Sequence, residues 1–172
     1  MSENMEALKR WTGTHTQTKL FDSDENELTH ERVFEAVVHK KRVAVIGLTR
    51  TGDALGALYS PAVSKRGEWL MDGALSAFLL TSDGRRETPL RFPVKECYDY
   101  CAWVHFPHHA REGCVVQVWV GGVGGFALGD ERSSGWCRNL AGVFDGVENT
   151  PGEEALHDGS LCCTRLIAVQ LS

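Results

Sequence analysis

The sequence lacks any long apolar run. No segment of its 172 residues approaches the length needed to cross a membrane, and residues 1–19 lack the apolar core of a signal peptide. The second residue is Ser, which does not fit an N-terminal myristoylation pattern. We therefore expect a cytoplasmic protein with no membrane insertion.

An excess of basic residues is also missing. The chain has 18 Lys and Arg against 23 Asp and Glu, a net charge of −5, and a pI of about 5.8. Proteins that bind nucleic acid through its phosphates usually carry a basic patch or a basic overall balance. We therefore expect no nucleic-acid partner.

The cysteines include no C-x-x-C pair, and without a secretory signal a disulfide framework is not expected. Side chains of adjacent residues in a strand point to opposite faces, so one member of the 162–163 pair should lie in the core. The alternative is a redox-active protein that uses exposed thiols. The six cysteines are Cys97, Cys101, Cys114, Cys137, Cys162 and Cys163.

No catalytic set is visible. The G-x-S-x-G elbow of hydrolases is absent, and Ser76 in GALSA lies within an apolar segment rather than at its end. The carboxylates of Glu153 and Glu154 fall in a segment that reads as an exposed loop. We expect no catalytic residues, and an enzymatic activity is not predicted.

Three histidines raise the question of a metal site. His105, His108 and His109 lie close in the chain, with Cys101 or Cys114 within reach. A closed zinc site needs four ligands at recognisable spacing, and this group lacks a second pair. We expect His105 on one face of a strand, the other two in a loop, and no metal.

A glycine cluster resembles a cofactor loop. Gly122, Gly124 and Ala127 in VWVGGVGGFALGD fit the dinucleotide fingerprint, and Asp145 or Glu148 could supply its acidic residue. The fingerprint also requires a helix after the glycines, and the alternation of Phe126 and Leu128 predicts a strand instead. We therefore predict a turn, a strand that resumes at Phe126, and no cofactor.

The sequence does contain many short apolar segments separated by turns. Met5, Leu8 and Trp11 predict a helix edge, and Thr29 is a candidate N-cap for a second helix. This pattern predicts an α+β, mainly β fold, with two antiparallel β-sheets packed as a sandwich and a few flanking helices. The predicted strands cover 19–21, 42–49, 54–60, 73–80, 89–92, 102–106, 113–120, 124–130 and 163–171.

The order of these segments resembles the TLDc domain family, particularly its compact forms from single-celled eukaryotes. The resemblance runs through LKRWTG, KLFDSD, VFEAVVHKKRVAVIGLT, GDALGALYS, SAFLLTSDGR, PLRFPVK, GGVGGFALGD, FDG and RLIAVQL. The motif residues are Trp11, Phe21, Asp22, Gly52, Gly56, Gly122, Gly124, Gly125, Phe144 and Asp145.

The resemblance implies one domain over 1–172, with a helix and connector at 1–18 and the sandwich body at 19–172. It also implies a non-catalytic protein-interaction domain, linked to oxidative-stress resistance and to binding the peripheral sector of the vacuolar proton pump. It assigns no catalytic, cofactor-binding or metal-binding residue.

Overall fold

The structure is a computed structural model that describes residues 2–49, 54–80, 88–108, 114–129, 135–149, 159–161 and 163–172. The α-helices in this part of the chain are α1 (Ser2–Thr12), α2 (His30–Val37) and α3 (Leu140–Val143). None of them combines the length and the apolar character that a membrane span requires. The strands are β1 (Gln17–Asp22), β2 (Val43–Thr49), β3 (Ala54–Tyr59), β4 (Trp69–Met71), β5 (Ser76–Leu80), β6 (Leu90–Pro93), β7 (Ala102–His105), β8 (Val116–Val120), β9 (Gly124–Leu128), β10 (Gly135–Arg138), β11 (Gly159–Leu161) and β12 (Cys163–Leu171).

These strands form two six-stranded sheets in which every described pairing is antiparallel. The order of the first sheet is β1-β12-β2-β3-β5-β6, and that of the second is β11-β10-β9-β8-β7-β4. Side chains from both sheets meet in one main core, among them Leu55 and Leu79 from the first and Val118 and Phe126 from the second. The predicted fold class is confirmed.

Both predicted helices form where their sequence signals lie. The Thr29 hydroxyl accepts a hydrogen bond from the backbone N–H of Arg32 at 3.2 Å, which caps α2 as predicted. Val33 and Val37 of α2 are fully buried in the main core. Hydrophobic burial thus stabilises the face that the spacing of these residues predicts.

The first sheet is buried on both faces. One face of β2, β3 and β5 contributes to the main core, while the other contributes Ile46, Leu58 and Phe78 to a second cluster under α1. Leu8 of α1 is fully buried in that cluster, with Met5 and Trp11 packed at its margin. Strands buried on both faces read as continuous apolar runs, which explains VAVIGLT and ALGALY.

Trp11 and Gly56 make this helix packing possible. The Trp11 ring of α1 lies over Phe78 of β5, with ring centroids 6.0 Å apart. Gly56 lies opposite Phe78 in β3, and a Cβ atom there would overlap the phenyl ring. Glycine at 56 therefore gives the ring the space that it occupies beneath α1.

Several elements were not predicted. The segment after Gly135, which reads as loop-rich, contains β10, α3 and β11. The helix α3 is only four residues long and β11 only three, so neither has enough residues to show a periodicity. The strand β1 begins at Gln17, two residues before the predicted start of the sandwich body. The predicted turns at 50–53 and 82–84, including Gly52, lie outside the described residues.

A buried carboxylate joins the edge strand β1 to β12. Asp22 is only 3% exposed, and its two oxygens accept hydrogen bonds from Arg165 Nε at 2.9 Å and Nη2 at 2.7 Å. The backbone N–H of Asp24 donates a further bond to Asp22 Oδ1, and Lys19 lies 3.5 Å from Oδ2. The hydrogen bond from Arg165 is the main reason that the pKa of Asp22 lies below its usual value.

We expect the substitution Asp22→Asn to lower the free energy of unfolding at pH 7 by about 1–3 kcal/mol, because it removes the charge that pairs with Arg165. The pKa of Asp22 is depressed in the folded state, so its stabilising effect is present at neutral pH and declines as pH falls below the ordinary carboxyl range. Urea unfolding of both proteins between pH 3 and pH 7 measures this. A stability difference independent of pH would contradict the assignment.

Candidate functional site

Four of the five tryptophans share the outer face of the second sheet. Cross-strand pairing places two adjacent rows of side chains on this face. One row contains Trp69, His105, Gln117, Ala127 and Trp136. The other contains Met71, Trp103, Trp119, Gly125 and Arg138. We call Trp69, Met71, Trp103, Trp119, Trp136 and Arg138 the tryptophan face.

The strand alternation explains why these residues point outward. In β8 the residues Val116, Val118 and Val120 are buried in the main core, while Gln117 and Trp119 between them are only half-buried. Strands with one buried face show this alternation of apolar and partly exposed residues. The second sheet therefore contributes one face to the core and presents its tryptophans on the other.

The face is accessible in the described part of the chain. Trp69 is 44% exposed and Met71 is 51% exposed, while Trp103, Trp119 and Trp136 are half-buried. The three described α-helices pack elsewhere, with α1 on the first sheet and α2 and α3 against the main core. Contiguous exposed apolar surface of this kind is characteristic of interaction sites.

Two aromatic pairs organise the face. On the edge strand β4, the ring of Trp69 stacks on His105 with centroids 4.3 Å apart and planes 10° apart. Trp119 of β8 and Trp136 of β10 meet edge to face, with centroids 5.1 Å apart and planes 81° apart. In each pair, the contact between the rings sets their relative orientation.

The indoles of β8 and β10 meet although β9 separates their strands. The outward residues of β9 at this point are Gly125 and Ala127, paired with Trp119 and Trp136 respectively. Because neither has a side chain larger than a methyl group, the two indoles extend over β9 and touch. The result is a right-angled aromatic corner whose floor is the backbone of β9.

Arg138 supplies the charge of this face. Its side chain is exposed at the end of β10, in the row of Trp119 and Gly125. None of the ion pairs among the described residues includes Arg138 or any other residue of the tryptophan face. Its guanidinium therefore has no carboxylate partner among the described residues.

The glycine cluster forms a tight turn between two strands. Residues 121–123 join β8 to β9, and the strand that follows begins at Gly124 and includes Phe126. The predicted turn is confirmed, and so is the strand predicted over 124–130, which runs from Gly124 to Leu128. Gly124 is needed for space, since a Cβ atom there would lie 2.8 Å from the carbonyl oxygen of Asn139.

The histidines do not assemble a metal site among the described residues. His105 lies on one face of β7, as predicted, where it is buried beneath Trp69. His108 is exposed and lies beside Gly67, and His109 is outside the described residues. The described part of the chain contains no group of three or more His, Cys, Asp and Glu side chains arranged to hold a metal.

The described cysteines divide into two classes. Cys114, Cys137 and Cys163 are buried, whereas Cys97 and Cys101 are exposed on the 3-10 helix Glu96–Cys101. Cys162 lies outside the described residues. The expectation that one of the adjacent cysteines lies in the core agrees with the burial of Cys163.

The other motif and candidate residues serve the fold. Phe21 and Phe144 are buried in the main core. Asp145 is exposed, and its backbone N–H donates to the carbonyl of Pro93 at 2.9 Å. Ser76 is buried, and its hydroxyl accepts a hydrogen bond from Arg91 Nε at 3.0 Å, which occupies the oxygen that a nucleophile would use.

Comparison of the chain with protein-family models finds no matching family, and comparison with curated proteins finds no match.

We expect Gly125→Ala to lower the free energy of unfolding by about 2 kcal/mol or more, because Gly125 combines a φ of +149° with a close approach to the backbone. A Cβ atom at 125 would overlap the carbonyl oxygen of Val118.

The matched control is Gly122→Ala in the same cluster. Gly122 has a φ of +71° and nothing within 4 Å of an added Cβ, so only the backbone strain of about 1 kcal/mol applies. Urea unfolding of the two variants compares these costs. Equal losses of stability would show that the close approach of β9 to β8 adds no cost beyond the backbone strain.

Proposed function

We propose that this chain is a protein-interaction domain that binds its partner through the tryptophan face. The observation that carries the proposal is the clustering of four of the five tryptophans on one accessible sheet face. Tryptophan and arginine are enriched among the residues that dominate binding energy at protein interfaces. The proposal assigns no chemical reaction to the chain.

The partner follows from the family resemblance. TLDc proteins are associated with the peripheral sector of the vacuolar proton pump, so we propose that sector as the partner. This requires the chain to be in the cytoplasm, where the peripheral sector lies. Oxidative-stress resistance would then follow from the interaction.

Two residues of the tryptophan face can be substituted without changing a side chain of the main core. Trp69 and Met71 lie on the three-residue edge strand β4, and their side chains are about half exposed. The intervening Leu70 packs against the main core and stays unchanged. Loss of the two outward side chains should therefore remove binding surface at little cost to folding.

We expect the double variant Trp69→Ser, Met71→Thr to bind purified peripheral sector at least about tenfold more weakly than the unaltered chain, because interface residues of this kind each contribute about 1 kcal/mol or more. Surface plasmon resonance with the immobilised full chain measures the affinities. Thermal unfolding verifies that the variant is folded.

The matched control is Tyr100→Ser. Tyr100 is 83% exposed but lies on the 3-10 helix rather than on the sheet face, so its variant should bind within about twofold of the unaltered chain. If the unaltered chain does not bind the peripheral sector, the proposed partner is wrong. If the double variant binds as well as the unaltered chain, the tryptophan face is not the binding surface.

A second candidate function is peroxide reduction by cysteine, favoured by the exposure of Cys97 and Cys101. A thiolate that reduces one peroxide becomes a sulfenic acid and releases water in the reduction. Cysteine thiolates become reactive beside cationic groups or at helix N-termini. The 3-10 helix has Glu96 and Asp99 in its first turn and no basic residue in its last turn.

Peroxide consumption by the purified chain decides between the two functions. We expect the unaltered chain and the variant Cys97→Ser, Cys101→Ser to consume hydrogen peroxide at the same slow rate, because the helix that carries both thiols has two acidic residues in its first turn and no basic residue in its last turn. A dye-based peroxide assay measures the rates. A rate that is fast in the unaltered chain and lost in the variant would favour the redox function.

A further inference from the structure

The aromatic corner on the tryptophan face borders a groove of defined composition. The groove has a volume of about 430 Å³, and the described residues that line it are Trp119, Trp136, Cys137 and Arg138. The two indole planes stand 81° apart. An apolar side chain placed in the corner would contact one ring by its face and the other by its edge.

Among the described residues, the charge beside this corner is positive. Arg138 is exposed and makes no ion pair with any residue that the structure describes. The described residues that line the groove include no carboxylate. A guanidinium presents a planar set of N–H donors that matches the two oxygens of a carboxylate.

We infer that this corner binds an acidic segment of a protein partner, with a carboxylate on Arg138 and a neighbouring apolar side chain between Trp119 and Trp136. The inference rests on the proposed function and deepens it, because it states the chemistry that the partner must present. It is carried by charge complementarity: an aromatic corner with one cation and no described anion selects an apolar segment with a negative charge.

A polyanion fits this surface less well. Single-stranded nucleic acid also combines stacking bases with negative charge, but its binding relies on several cations along the backbone. The tryptophan face has one arginine and no lysine, and the chain carries a net charge of −5. A short segment with a single carboxylate meets one guanidinium without that requirement.

The test uses the full chain and two matched peptides. The acidic probe is acetyl-Ala-Leu-Glu-Leu-Ala-amide, and its control has Gln in place of Glu. Two-dimensional ¹H–¹⁵N NMR resolves the five indole N–H signals. That of Trp11, a residue of α1 that packs on the first sheet, serves as an internal reference.

We expect the acidic peptide to shift the indole signals of Trp119 and Trp136 and leave that of Trp11 unchanged. The Gln peptide should bind about tenfold more weakly, since a charge-assisted hydrogen bond is roughly twice as strong as a neutral one. In the variant Arg138→Gln, the acidic peptide should bind no better than the Gln peptide. Arg10→Gln, at an exposed arginine of α1, should bind both peptides like the unaltered chain.

Three outcomes would overturn the inference: equal binding of the two peptides, shifts confined to other residues, or shifts of Trp119 and Trp136 caused by decauridylate and not by either peptide. The last would indicate a nucleic-acid site.

Binding of the pump sector separates the two proposals. If that binding depends on Trp69 and Met71 but not on Arg138, the inference fails and the proposed function stands; if it depends on none of them, both fail.

Discussion

The unequal covering of the two sheets is the constraint on which the rest of the structure depends. Sheet faces that carry large apolar side chains must be buried or must serve as binding surfaces. In the first sheet, α1 covers the outer face, and Leu8 and Trp11 pack there over β2, β3 and β5. In the second sheet, the described residues supply no such helix, and Trp69 and Met71 remain about half exposed. The candidate site is thus the face over which none of the described helices packs.

The buried ion pair and the proposed binding surface lie on different sheets. The ion pair between Asp22 and Arg165 joins β1 to β12 at one edge of the first sheet, and its carboxylate is almost fully buried. Arg138 lies on the second sheet, is exposed, and has no described anionic partner. A guanidinium with a buried partner contributes to folding, whereas one without a partner is free to contribute to binding. The role in binding that we propose for Arg138 therefore differs from the role of Arg165 in folding, in line with their different surroundings.

The sequence predicts the sandwich but not the tryptophan face as a unit. Continuous apolar runs such as VAVIGLT and alternating runs such as VQVWV correctly indicate strands, and the alternation around Trp119 already indicates that this residue points away from the core. What the sequence does not contain is the pairing of strands. Trp69 and Trp136 are 67 positions apart, and only the order β10-β9-β8-β7-β4 places them on one face. Their strands have three and four residues, too few to show a period.

The glycine cluster is important to this structure for a different reason from the one that its sequence pattern first indicates. As a string of residues it resembles a loop that binds a dinucleotide, whose glycines let a backbone approach phosphate. In the structure the strand resumes at Gly124, and Gly125 brings β9 against the backbone of β8. Because Gly125 has no side chain, nothing projects from the outer surface of β9 at this point, and Trp119 and Trp136 meet above it. Gly125, which lies beside the glycines that suggest a cofactor loop, therefore serves by its lack of a side chain to build the aromatic corner.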